Sequence, residues 1–267
     1  MEFQGQDNQP FVWVTRPRPQ ADEHASAIAA AGLRPLISPV ISIKPLPVPE
    51  LPPLAPLETS GLIFTSVNGL LHFPKDWLTD YVKHPVFVSG ATTQNLAREL
   101  GFQNVLCSDH QGSRGMVALV RDRMPMDMGK APPNLLYIAG TSRTPILEET
   151  LSQDFHLMLS ELYEAEFEHQ LSETAKAAFE NHQIAATTLF SSRSATQAAT
   201  LLQNHLGDTA KRVQDQLLTV CISQAVADRA YQSGFNRIAV ATTESADSMV
   251  DKLVKQLNIH RKSSNSI

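Results

Sequence analysis

Short apolar runs alternate with amphipathic stretches along most of the chain. Residues 11–14, 62–64, 86–88, 135–138, 187–190, 218–222 and 238–240 are short apolar or β-branched runs bounded by Ser, Thr or Gly. Too short for helices and apolar at successive positions, they predict strands covered on both faces, as in a parallel sheet flanked by helices. Helical spacing follows most of them. Residues 20–31 stop at Gly32, 92–100 at Gly101 and 226–233 at Gly234, and each glycine stands where the residue after a helix takes positive φ. Strand then helix, repeated, predicts α/β. Two stretches break the pattern. Leu36–Lys44 alternates only in part, carries Pro39 and leads into six prolines between Pro45 and Pro56, which predicts an edge strand passing into an extended connector. Met158–Ala165 is a second strand-like segment. The stretch 124–133 holds three methionines but no His or Cys beside them, so it reads as a connector and not as a copper site.

An internal repeat organises the chain further. Val86–Phe102 aligns with Val220–Phe235 at an offset of 133 at the phenylalanines, and Met116 and Met249 keep that offset. Ile63–Ser66 aligns with Leu189–Ser192 at an offset of 126, and Phe11–Arg16 matches Leu135–Gly140. Two copies of one α/β unit, at about 10–130 and 134–260, are therefore expected, with a ligand site shared between them.

Composition narrows the class. With 267 residues, 42% hydrophobic, 18% charged and no apolar run of membrane length, the chain reads as folded and outside the membrane. A formal charge of −5 gives no global positive field for nucleic acid. Cys107 and Cys221 lie far apart in apolar runs and read as buried thiols rather than a disulfide or a zinc site. Residues 1–10 carry no charged and apolar leader, so a cytoplasmic, reducing setting is expected.

No GxGxxG, Walker A, GxSxG or HExxH signature is present, and no pair of His, Cys or carboxylates stands out as acid and base. What recurs is a strand-to-helix turn rich in Ser, Thr and Arg. Thr15–Arg18, Thr65–Gly69 (with Ser66 and Asn68), Ser89–Thr93 (with Gly90 and Thr92), Ser113–Gly115, Thr141–Arg143 and Ser191–Ser194 (with Ser192 and Arg193) place hydroxyls and backbone N–H groups at helix starts, where the dipole favours anions. One such hydroxyl is an ordinary helix cap. The number of these turns, and the five of thirteen arginines they hold, point to a polyanionic ligand.

These segments together resemble the uroporphyrinogen-III synthase family. The resemblance runs through Val12–Pro17, Pro35–Pro45, Ile63–Asn68, Val88–Thr93, Tyr137–Gly140 with Arg143, Leu162–Tyr163 and Phe190–Ser194, in the family's order and over nearly the whole chain. It implies two doubly wound, flavodoxin-like parallel-sheet domains joined by a two-stranded linker. The first domain would be 11–36 with 166–260, the second 45–157, the linker strands 37–44 and 158–165, and the tails 1–10 and 261–267.

The resemblance also implies a cyclising hydro-lyase. The family converts hydroxymethylbilane, a linear tetrapyrrole with eight carboxylates, into uroporphyrinogen III, losing water and inverting the last pyrrole ring through a spiro intermediate, without metal or organic cofactor. Tyr163 would be the catalytic donor to the leaving hydroxyl, a phenol of reference pKa about 10 being protonated at neutral pH. The substrate contacts would be Thr15, Arg16, Thr65, Ser66, Asn68, Gly90, Thr92, Thr93, Ser113, Arg143, Ser191, Ser192, Arg193 and Ser223. A cytoplasmic monomer receiving its substrate from the deaminase is implied, without nucleic-acid or membrane partners.

The second-copy turn departs from the family. Ser223–Val226 stands where Gly-Pro-x-Thr is common, so a threonine hydroxyl is missing there. Ala91 replaces a usual proline, and Ala139 precedes Gly140 where arginine is common. A non-catalytic tetrapyrrole-binding or regulatory relative is the alternative; a two-domain solute-binding protein is disfavoured by the lack of a leader.

Overall fold

The computed structural model describes residues 9–48, 52, 55–108, 112–124 and 131–264. Most of the expected tails, part of the proline run and residues 125–130 of the methionine connector lie outside these. The chain runs β1 (Phe11–Val14), α1 (Gln20–Ala30), β2 (Arg34–Ile37), β3 (Ile41–Pro45), β4 (Gly61–Phe64), α2 (Val67–Leu71), α3 (Lys75–Tyr81) and β5 (Pro85–Ser89). Next come α4 (Ala91–Glu99), β6 (Asn104–Ser108), α5 (Gly112–Arg123), β7 (Asn134–Gly140), α6 (Ile146–Leu151) and β8 (His156–Phe167). The last third is α7 (Glu173–Glu180), β9 (Ile184–Leu189), α8 (Ser192–Leu206), α9 (Ala210–Gln216), β10 (Leu218–Cys221), α10 (Gln224–Gln232), β11 (Ile238–Val240) and α11 (Ala246–Ser264).

These elements form two compact units, one from the segments up to Ser42 and from Glu166 onward, the other from Ile43–Ala165. The first holds a wholly parallel sheet in the order β11-β10-β9-β1-β2. The second sheet has the order β3-β8-β7-β4-β5-β6, parallel from β8 to β6. Hydrogen bonds from the Glu168 N–H to the Val40 carbonyl and from the Leu46 N–H to the Leu162 carbonyl flank β3 and make it antiparallel to β8.

Continuous apolar runs are explained by cover on both faces. In the second sheet Leu62, Phe64, Val86, Val88, Leu136 and Ile138 pack in one core with α2, α3 and α4. Their neighbours Ile63, Phe87, Leu135 and Tyr137 pack on the other face with α5 and α6. In the first unit Val12, Val14, Ala186, Leu218 and Val220 meet α1 and α11. Gly32, Gly101 and Gly234 follow their helices with φ of 77°, 99° and 103°.

The repeat has a physical counterpart in each unit. Gly90 and Ser223 are N-caps, Phe102 and Phe235 are buried, and Met116 and Met249 are fully buried, all at the offset of 133. The offset of 126 between β4 and β9 is corrected. The serines that cap the following helices are Ser66 and Ser191, 125 positions apart. A one-residue slip exchanges the two faces of a strand.

Two further expectations change. Leu36–Lys44 is two strands, because Pro39 has no N–H to continue a ladder: β2 lies on the edge of the first sheet, while β3 joins β8. Cys107 on the edge strand β6 is half-buried, whereas Cys221 is buried, its thiol pushed up to about 12 by loss of solvent. No helix among the described residues is long and apolar enough to cross a membrane.

Candidate active site

In a parallel sheet every strand ends on one edge, which gathers the turns that follow it. In the unit 43–165 that edge carries Thr65 and Ser66 after β4, Gly90 after β5, Gly140 at the end of β7 and Tyr163 in β8. Gly140 is the register partner of Tyr163, next to an irregularity between Ala139 and Gly140. A Cβ on Gly140 would stand 2.6 Å from Cε2 and 2.9 Å from Cζ of the tyrosine. The phenol ring therefore lies in the space that a side chain at 140 would fill.

The Ser66 side chain and the Gly140 backbone are polar neighbours that act on the phenol, and the His72 ring lies 5.5 Å from the tyrosine ring. Burial pushes the phenol pKa up, while Ser66, Gly140 and the Arg143 charge work against that rise. That opposing sign belongs to groups that stabilise a phenolate. The result is a phenol that is protonated at neutral pH, with partners suited to the anion formed when its proton leaves.

The neighbouring groups hold this arrangement. Ser66 caps α2, its Oγ accepting the Asn68 N–H at 3.2 Å. Thr65 bonds the Tyr137 hydroxyl at 3.0 Å, and burial raises that phenol too. Arg143 donates to the Gly140 carbonyl at 2.8 Å and pairs with Glu148 and Glu161. Its charge is engaged within the protein, where it fixes the carbonyl of the residue on which Tyr163 rests. Gly90 caps α4 with φ of 79°; Thr92 is exposed on the first turn and Thr93 is buried. Ser113 is half-buried in the first turn of α5.

The other unit sorts its predicted residues differently. Thr15 is fully buried and donates to the Thr188 carbonyl at 2.6 Å, tying β1 to β9. Arg16 lies 4.0 Å over the Phe190 ring, and burial lowers its guanidinium pKa against the opposing effect of Glu23. His24 meets the same ring edge-on at 4.9 Å. Ser191 caps α8 through the Ser194 N–H at 3.1 Å; Ser192 is half-buried beside it, and exposed Arg193 lies 5.0 Å over Phe167. Ser223 holds the cap position of α10, yet its hydroxyl makes no capping bond. Val226, where the threonine was expected, is packed in the interior.

The family described as uroporphyrinogen-III synthase HemD matches residues 22–251. The chain belongs to the uroporphyrinogen-III synthase family. This is an enzyme family of haem biosynthesis. A separate comparison with curated proteins found no match. Among solved structures, uroporphyrinogen-III synthetase from Helicobacter pylori is 14% identical, with 93% of this chain and 99% of that one covered and a TM-score of 0.58. A mutant uroporphyrinogen III synthase from Thermus thermophilus is 14% identical over 92% and 99% of the two chains, with a TM-score of 0.51. At such identity these likenesses establish the shared two-sheet fold.

Within this synthase-family fold, three residues near the predicted ones were given no site role from sequence. Gly140 is the seat of Tyr163, Phe190 is the platform under Arg16, and His72 flanks the phenol. His72 lies one helical turn after Asn68, whereas Gly140 and Phe190 lie in segments that carry the resemblance. The seat has a measurable consequence. Gly140→Ala is expected to lower turnover about fivefold, about 1 kcal/mol, because the ring must swing away from Ser66. In a Tyr163→Phe background the same change should add little, a non-additivity that a double-mutant cycle reads directly.

Proposed function

We propose that this chain is a lyase that closes hydroxymethylbilane to uroporphyrinogen III, with Tyr163 as the donor to the leaving hydroxyl. The observation that carries this reading is the phenol set on Gly140, where Ser66 and the Gly140 backbone favour its anion against burial. A hydroxyl leaves as water only when it receives a proton, and the electrons come from the pyrrole nitrogen of the bilane itself. Tyr163 gives the proton, and Ser66 and the Gly140 backbone steady the phenolate until it is returned. No nucleophile is required. Since the bilane also closes unaided to the unrotated isomer, the larger task is to hold its chain so that the substituted carbon of the last ring attacks first.

Carboxylates are held in this reading by helix starts: Gly90, Thr92 and Ser113 in the unit of Tyr163, and Arg16, Ser192 and Ser223 in the other. Ser223→Ala removes a hydroxyl that caps nothing, so KM should rise about threefold with kcat within about twofold, the loss of one weak hydrogen bond. Steady-state kinetics separates the two constants. The same reading makes the protein a cytoplasmic monomer that takes its substrate from the deaminase.

The test is a coupled assay. Hydroxymethylbilane is generated with its deaminase, this protein is added, and the oxidised uroporphyrin isomers are separated. A type III peak that depends on the protein supports the synthase. Type I alone, as in the blank, moves the chain to the non-catalytic tetrapyrrole-binding alternative, which the buried Val226 in place of a threonine would then favour.

A further inference from the structure

We propose that His72 is a catalytic base of this site, taking up the proton that the inverted pyrrole ring releases as the macrocycle closes. The inference rests on the synthase reading above. Its starting point is a fixed tautomer. His72 Nδ1 lies 2.8 Å from the Asn68 carbonyl. A carbonyl oxygen only accepts, so Nδ1 carries the hydrogen and the lone pair of the neutral ring is on Nε2. No described residue bonds Nε2, and His72 is half-buried, not sealed in the interior.

The position of the ring is also fixed. His72 ends α2 as its C-cap. That helix is pressed onto β4 and β7 at Gly69, where a Cβ would stand 3.1 Å from the Phe64 ring and 3.3 Å from the Ile138 carbonyl. The imidazole is thereby set 5.5 Å from the Tyr163 ring, the two planes tilted by 31°. A proton acceptor with a defined lone pair thus stands beside the proposed proton donor.

The reaction has a use for both. At the start, Tyr163 gives its proton to the hydroxyl, the C–O bond breaks and water leaves. At the end, the free α-carbon of the inverted ring has formed the last C–C bond and must lose its hydrogen. The C–H electron pair returns to the pyrrole, the proton passes to Nε2, and the imidazolium then reprotonates the Tyr163 phenolate. One proton is given and one recovered per turnover, with no oxidant or reductant.

The experiment uses the full chain with His72→Phe, which keeps an aromatic ring against Tyr163 and removes the lone pair, and His72→Gln, which serves if the first variant does not fold. Hydroxymethylbilane carrying deuterium at the free α-carbon is compared with the ordinary substrate. Turnover should fall about tenfold, with type III still formed and a deuterium effect of about two or more absent from the unsubstituted protein. Turnover within about twofold of the unsubstituted protein would overturn the proposal, because the phenolate then recovers the proton alone. A fall without a deuterium effect would overturn it too, since His72 would then matter only through packing. Type I alone from the unsubstituted protein would be the separate failure of the synthase reading, and this inference would fall with it.

Discussion

Replacing Tyr163 by Phe is expected to lower turnover by about one to two powers of ten, about 1.4–2.7 kcal/mol of barrier. The ring is retained, so its contact with His72 and its place over Gly140 persist. What disappears is the proton offered to the leaving hydroxyl. The comparison is informative because the residual rate measures how far the bilane ionises on its own once it is held. Circular dichroism and thermal melting should match the unsubstituted protein, and an unchanged rate in the folded variant would remove Tyr163 from the mechanism. The pH dependence carries a sign as well. Burial raises this phenol above its ordinary value of 10.0, so the donor stays protonated across the neutral and mildly alkaline range. No decline in turnover from its ionisation should appear below about pH 10.

The largest effect on stability is expected at His24. This imidazole is 2% exposed, neither ring nitrogen has a partner among the described residues, and burial together with the Arg16 charge lowers its pKa to about 4 from 6.5. In the unfolded chain the ring takes its proton as the pH falls through 6.5; in the folded chain it resists until about 4. The unfolded state therefore binds more protons in that window. The stabilisation is whole above pH 6.5 and is lost as the pH falls towards 4. A displacement of this size corresponds to about 3 kcal/mol. Urea unfolding from pH 7 to pH 4 should show the unsubstituted protein losing about that much more stability than His24→Leu, which has nothing to protonate there. Parallel pH profiles for the two proteins would show that the imidazole does not differ between the folded and unfolded states.

The α/β character was legible because both faces of each sheet are covered, which prints short unbroken apolar runs into the sequence. The offset of 133 was legible for a related reason. Gly101 and Gly234 need positive φ, and Met116 and Met249 fill sealed positions, so each pair is held to one kind of residue. The offset between β4 and β9 was misread by one because Thr65-Ser66 and Ser191-Ser192 both offer adjacent hydroxyls, and only geometry tells which one caps its helix. The site was less legible. A serine that caps a helix and one whose hydroxyl caps nothing look alike in a sequence, as Ser191 and Ser223 do. Arg143 reads as a free cation until the strand register brings Glu161 to it. The relation of Gly140 to Tyr163 depends on the irregularity in the β7–β8 pairing, which no local pattern announces.

That relation reaches beyond one molecule. Because the ring at 163 occupies the room of a side chain at 140, the two positions cannot drift separately over a lineage. Any descendant that acquires even a methyl group at 140 must first give up, or move, the aromatic ring beside it. Such a lineage would give up part of its rate before it could vary that position.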